Sequence, residues 1–230
     1  MMRVVWAGVL AVGLVASAGE AWATQQASAV TAEHAEGRLS GATIFIIRHA
    51  EKTGVGTGLS AAGAMRADAY ATYFEHLKLD GRPVHIDSLV ASTDSAKSAR
   101  PRLTLEPLSG ATGMPIIQPC SSGDVVCLVD WLRAQPARQT TLISWHHSKI
   151  DRILTALGVS EHDVLPGGHW PSDFFDWVIA LRFDKAGHLI PGKAELLHEP
   201  MSVNNMVWEA MDHPTIHSSE AEVLSGQAKQ

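Results

Sequence analysis

The run Thr43-Ile44-Phe45-Ile46-Ile47, followed at once by Arg48 and His49, decides the fold. It is β-branched and apolar on both alternating faces, which suits a central strand of a parallel sheet covered on both sides rather than a half-exposed strand. The apolar run ends in two polar residues that could work at its carboxyl end. Just beyond lies a loop punctuated by Gly54, Gly56 and Gly58.

Working outward, Ser60 is a good N-cap for an Ala-rich helix over 61–77. A second strand is expected over 84–91, ending in Ser92-Thr93-Asp94. A helix follows over 96–108, with Pro101 near its first turn because proline cannot donate an interior backbone bond. Residues 114–117 suggest a short edge strand. Residues 124–132 have the amphipathic spacing of a helix, with Val125, Leu128, Val129 and Leu132 on one side. Thr140–Trp145 reads as another buried strand, ending in His146-His147. A helix over 150–157 closes at Gly158, and strands are expected over 174–183 and near 194–197. Strands alternating with helices predict a three-layer α/β/α sandwich with a mainly parallel central sheet. Ligands in such folds bind beyond the carboxyl ends of the strands. Arg48-His49, Ser92-Thr93-Asp94 and His146-His147 would meet there.

At its start the chain carries Arg3, an apolar run over 4–18, and Ala21-Trp22-Ala23, a small-x-small cleavage pattern. The run is shorter than the roughly 20 residues of a spanning helix, so the reading is a cleaved signal peptide over 1–23 and a periplasmic or secreted protein. A flexible arm is expected over 24–41, one catalytic domain over 42–210, and a loose tail over 211–230. The formal net charge is −6. That charge and the lack of a basic tract argue against nucleic acid as a partner, and any anion site must be a local concentration of cations. No stable membrane insertion is expected, and the oligomeric state is not legible. Cys120 and Cys127 are candidates for a disulfide, which persists in an oxidising compartment. Two cysteines alone are a poor zinc site. Of the 12 histidines, only His213-x-x-x-His217 has helical ligand spacing, and Pro214 interrupts it. No cofactor is called for.

A phosphoryl group needs fixed donors in a fork, which arginine supplies better than lysine. Arg48 and Arg100 are the leading candidates. A neutral imidazole beside them can attack phosphorus while a backbone carbonyl holds its other nitrogen and fixes the tautomer. His49 is that candidate. A second, charged histidine would brace the phosphoryl oxygens.

Thr43 to Lys52, with Arg48-His49-Ala50-Glu51, and then Leu59-Ser60-Ala61-Ala62-Gly63-Ala64-Met65-Arg66-Ala67, resembles the opening of the histidine phosphatase superfamily, the phosphoglycerate mutase-like and acid phosphatase-like group. The resemblance runs from about residue 43 to 183 and implies that fold. It also implies hydrolysis of a small phosphorylated molecule through a phosphohistidine on His49. Ser92 and Arg100-x-x-x-Thr104 are similar to the family's second segment, with Arg102 as rival second arginine. Ile143 to Ser148 is similar to its third. By likeness to branches reading Trp-Glu-His, His147 is preferred as the second histidine, with His146 in the Glu position. The family's general acid is not evident; Asp94, Asp124 and Asp151 are candidates, and Ser92, Arg48 and Arg100 are the expected substrate contacts. The competing reading is a non-catalytic phosphate- or oxyanion-binding protein of the same fold.

Overall fold

The computed structural model describes residues 39–200, 202–205 and 207. The expected signal peptide, most of the N-terminal arm and the C-terminal tail lie outside these residues. The described elements are β1 (Thr43–Arg48), α1 (Ala61–Glu75), β2 (Lys78–Leu79), β3 (Arg82–Pro83), β4 (Ser88–Ala91), α2 (Arg100–Thr112), β5 (Ile116–Ile117), α3 (Val125–Arg133), β6 (Thr140–Trp145), α4 (Ile150–Ala156), α5 (Glu161–Val164), β7 (Trp177–Phe183) and β8 (Leu189–His198). Six strands form one sheet in the order β5-β4-β6-β1-β7-β8. β5, β4, β6 and β1 pair in parallel, while β7 and β8 are antiparallel additions at one side. The sheet is therefore mixed and mostly parallel, with β1 inside it.

The pleat divides the core in two. Ile44 and Ile46 of β1, Val90 of β4 and Ile143 of β6 face Leu128 and Leu132 of α3 and Ile153 and Leu154 of α4. Phe45, Ile47, Leu89 and Leu142 face Tyr70 and Phe74 of α1 and Leu105 and Leu108 of α2. A central strand buried on both faces cannot alternate in polarity, which is why TIFII reads as it does. Among the described residues no helix is long and apolar enough to cross a membrane.

Several boundaries differ from expectation for local reasons. The strand expected over 84–91 shrinks to Ser88–Ala91, because the chain first folds a small hairpin, β2 to β3, through Asp80 and Gly81 at positive φ. β7 starts at Trp177 rather than Phe174, since the Phe174 carbonyl is taken by the Arg48 guanidinium and the Trp170 indole. The last residues of the expected arm are docked, not loose. Leu39 and Ser40 are buried, Ser40 Oγ donates to Lys185 O at 2.8 Å, and Gly41 N donates to Asp184 O at 2.7 Å.

The motif Leu-Ser-x-x-Gly-x-x-Arg has a mechanical reading. Ser60 N donates to Glu51 O at 2.9 Å, and Ser60 Oγ accepts from Gly63 N at 3.1 Å, capping α1 against the loop that follows β1. A Cβ at position 63 would run into the Glu51 carbonyl oxygen and lie 2.9 Å from its amide nitrogen. Backbone meets backbone, and neither can swing away as a side chain would. Gly63→Ala is expected to cost about 3 kcal/mol, because the loop carrying His49 must shift. Equal denaturation midpoints for the variant and the wild type would show that the helix and loop can part freely.

Candidate active site

Four side chains converge at the carboxyl ends of β1, β4 and β6. In the β1–β6 register Arg48 lies opposite Trp145, and His49 N donates to Trp145 O at 2.9 Å. One step further, His49 and His146 stand side by side on the α1–α2 side of the sheet. Their rings meet edge to face, 5.0 Å between centroids. The expected choice is His147; the ring that stands against His49 is that of His146. His146 keeps extended backbone and continues the pleat of β6, whereas His147 opens a 3₁₀ turn and points elsewhere.

His49 is buried, and its Nδ1 lies 2.8 Å from the Ala50 carbonyl oxygen. A carbonyl only accepts, so Nδ1 carries the proton and Nε2 keeps its lone pair. Ala50 N in turn donates to Thr104 Oγ1 at 2.9 Å, and that hydroxyl donates to Arg100 O at 2.8 Å. The Arg-x-x-x-Thr spacing of α2 thus ties the helix bearing Arg100 to the backbone that orients His49.

Arg48 is buried through its whole length. Its Nη1 donates to the carbonyls of Pro171, Ser172 and Phe174 at 3.2, 2.9 and 2.9 Å, and its guanidinium carbon stands 3.7 Å over the Phe175 ring. One end of the fork is spent fastening the loop over 171–174, while its charge still reaches all three histidines. Arg100 donates to Gly56 O at 3.4 Å, and its Nε is buried without a hydrogen-bond partner among the described residues. Arg102 is otherwise engaged, paired with Asp94 at 2.8 Å and with Glu106. Of the two candidates, Arg100 is the one that makes no ion pair among the described residues. Ser92 is buried beneath the site with its hydroxyl unpartnered.

The acid candidates separate by geometry. Asp94 is held by Arg102 and by Gln118 Nε2 at 3.0 Å, and Asp124 caps α3 through Cys127 N at 3.0 Å. Asp151, in the first turn of α4, has a buried Oδ1 with no partner among the described residues and lines a cavity with His147. Cys120 and Cys127 are joined in a disulfide with Cα atoms 5.9 Å apart. Cys120 O accepts from Thr93 N at 2.8 Å and Ser122 O from the Trp145 indole at 3.1 Å, so the bridged loop braces the ends of β4 and β6. Among the described residues no set of three or more His, Cys, Asp or Glu is arranged for a metal ion.

A partnership missed in the sequence lies just behind. Arg66 reaches Glu51 through Nε, at 3.0 and 3.1 Å to the two oxygens, and through Nη2 at 2.8 Å. Its Nη1 pairs with Glu199, which also accepts from Tyr70 OH. All four are buried. A motif glutamate and arginine 15 residues apart are a signal in hindsight; Glu199 gives none.

Burial, and then the neighbouring cations, push the histidines down: His49 to about 3, His146 to about 4 and His147 to about 4. All three are neutral near pH 7. Unfolded histidines bind protons below about 6.5, while the folded ones do not until near their lowered values. Stability is therefore present above pH 6.5 and lost as pH falls toward 4. Glu199, raised by burial to about 7 against the pull of Arg66, acts oppositely and loses stability as pH rises through 7. Three groups outweigh one. Tm is expected to fall by about 5 °C or more between pH 7 and pH 5, and His49→Gln to lessen that slope. A Tm that stays flat or rises on acidification would contradict the burial of these rings.

No family model matches the sequence, and no curated relative matches it. Among solved structures, the fold is similar to a phosphoglycerate mutase from Plasmodium falciparum (14% identity, 66% of this chain and 88% of that one, TM-score 0.45). It is also similar to a structure named for the phosphohistidine phosphatase SixA of Agrobacterium tumefaciens (20%, 67% and 97%, TM-score 0.44). A mycobacterial glucosyl-3-phosphoglycerate phosphatase in complex with inorganic phosphate gives 14%, 69% and 95%, with a TM-score of 0.43.

Proposed function

We propose that the chain is a histidine phosphatase that hydrolyses a small phosphorylated molecule through a phosphohistidine on His49. The single observation that carries this is the state of that ring. It is buried, neutral and fixed with Nδ1–H on Ala50 O, and its free Nε2 lies in the field of Arg48 and Arg100. A histidine kept neutral by burial, and then by neighbouring cations, is a poor structural choice and a good nucleophile, because the lone pair is not lost to a proton at neutral pH.

The Nε2 lone pair forms a bond to phosphorus as the bond to the leaving oxygen breaks. The arginines balance the charge on the phosphoryl oxygens. Water then takes the phosphoryl group, giving inorganic phosphate and neutral His49. With Asp94 and Asp124 committed to other contacts, leaving groups that depart without a proton are favoured. The reading also places its action outside the cytoplasm, in the periplasm or beyond. Residues 1–23 read as a cleaved signal, and the Cys120–Cys127 bridge suits an oxidising compartment.

The test is rapid acid-free quenching during turnover of an aryl phosphate, followed by mapping of phosphorylated peptides. An acid-labile, base-stable phosphoryl group on the peptide containing His49 is expected. Tight binding of inorganic phosphate with no adduct and no turnover would instead favour the oxyanion-binding reading.

A further inference from the structure

His146 and His147 are neighbours in sequence with opposite prospects. The first turns to His49. The second lines a cavity of about 480 Å³, within the size range of small-molecule sites. The loop that Arg48 fastens forms one wall: Pro171 and Ser172, whose carbonyls accept from Nη1, both line it. Arg48 thus holds one wall of the cavity while its charge acts on the histidines of the candidate cradle.

The lining brings together two carboxylates, Asp151 and Asp173, and two imidazoles, His147 and His169, with Asp173 also in the field of Arg48. Asp151 and Asp173 contribute carboxylates that make no ion pair among the described residues, and no lysine or arginine lines the space. Lys52, an exposed residue, is the one lysine whose charge His147 feels. His147 is itself neutral and cannot offset the carboxylates. Two polar atoms, His147 Nδ1 and Asp151 Oδ1, are buried with no hydrogen-bond partner among the described residues. Such orphans are costly unless water or a ligand satisfies them. Trp170 supplies an apolar wall.

We propose that this cavity receives the leaving-group part of the substrate and selects a cationic or neutral hydrogen-bond-donating group over an anionic one. This rests on the reading of His49, Arg48 and Arg100 as the phosphoryl site. An ammonium or hydroxyl donor satisfies Asp151 and meets the field of Asp173, whereas a carboxylate or second phosphate is repelled by both. The class named is a phosphate ester whose leaving group departs without a proton and carries an ammonium or hydroxyl donor rather than a carboxylate.

The test compares two aryl phosphates with matched phenol leaving groups and opposite charge, one bearing a para aminoethyl arm and one a para carboxymethyl arm. The wild type is expected to favour the aminoethyl ester at least about tenfold in kcat/KM. In Asp151→Asn/Asp173→Asn that ratio should fall toward one. A ratio of one or below in the wild type, or an unchanged ratio in the double variant, overturns the inference while hydrolysis through His49 stands. Release of phosphate from neither ester nor from unsubstituted phenyl phosphate overturns the hydrolase reading and the inference with it.

Discussion

His49→Ala is expected to lower phosphate release from an aryl phosphate by at least about 10⁴-fold in kcat, while inorganic phosphate still binds within about tenfold of the wild-type affinity. The split follows from the division of labour at the site. Arg48 and Arg100 carry the charges that hold an oxyanion, and neither depends on the imidazole for its anchor: Arg48 is fastened by three carbonyls and Arg100 rests on Gly56 O. What the variant loses is the lone pair on Nε2. Water would have to attack directly, without the bond-forming step that divides the barrier in two. Phosphate release measured beside phosphate binding by calorimetry checks both halves. Activity within tenfold of wild type would remove His49 as nucleophile. Equal loss of binding and rate would make it a binding group only.

The same comparison ranks the two later histidines. His146→Ala is expected to cost about 10²–10³-fold in kcat, since its ring touches that of His49 where a transferred phosphoryl group would sit. His147→Ala should change kcat for phenyl phosphate much less, because His147 lines the neighbouring cavity. The reverse order would restore His147 as the bracing residue.

That the His146 ring, and not the expected His147, neighbours His49 shows where sequence legibility ends. β1 and β6 were plain, because a strand covered on both faces must be apolar throughout. The start of α1 was plain too, because Ser60, Gly63 and Arg66 each solve a local problem within a few residues of Glu51. Side-chain direction after Trp145 is different. It depends on the β1–β6 register, which sets His49 beside His146, and on a 3₁₀ turn that interrupts the pleat at His147. Neither is written in local spacing. Arg48 teaches the same lesson. Its place at the strand end was readable, but its anchors, Pro171, Ser172 and Phe174, lie more than 120 residues along the chain. Local patterns specify elements and caps. Pairings between distant loops, on which the geometry of the site depends, are specified by the packed core as a whole.

The strongest of those distant pairings predicts the largest loss of stability. Arg66→Leu is expected to destabilise the fold by about 3–5 kcal/mol near neutral pH, the usual consequence of leaving buried charges without their partner. Arg66 satisfies Glu51 with three hydrogen bonds, pairs with Glu199 and donates to Asn204 Oδ1 at 3.2 Å. Leucine fills much of the volume and none of the charge, so two carboxylates would remain in a site that water scarcely reaches. They would bind protons rather than stay ionised, because burial without a cationic partner disfavours the charged form. A raised carboxylate loses stability as pH rises, so the penalty of the variant relative to wild type should be larger at pH 7.5 than at pH 5.5. Denaturant unfolding at both pH values reads this directly, because the histidine contributions are common to the two proteins and cancel in the difference. Adding Glu51→Gln and Glu199→Gln to Arg66→Leu should recover part of the loss by removing the orphaned charges. A penalty below about 1 kcal/mol, or one that grows on acidification, would mean that the carboxylates reach solvent. Glu51 could then no longer be what holds the loop of His49 against α1.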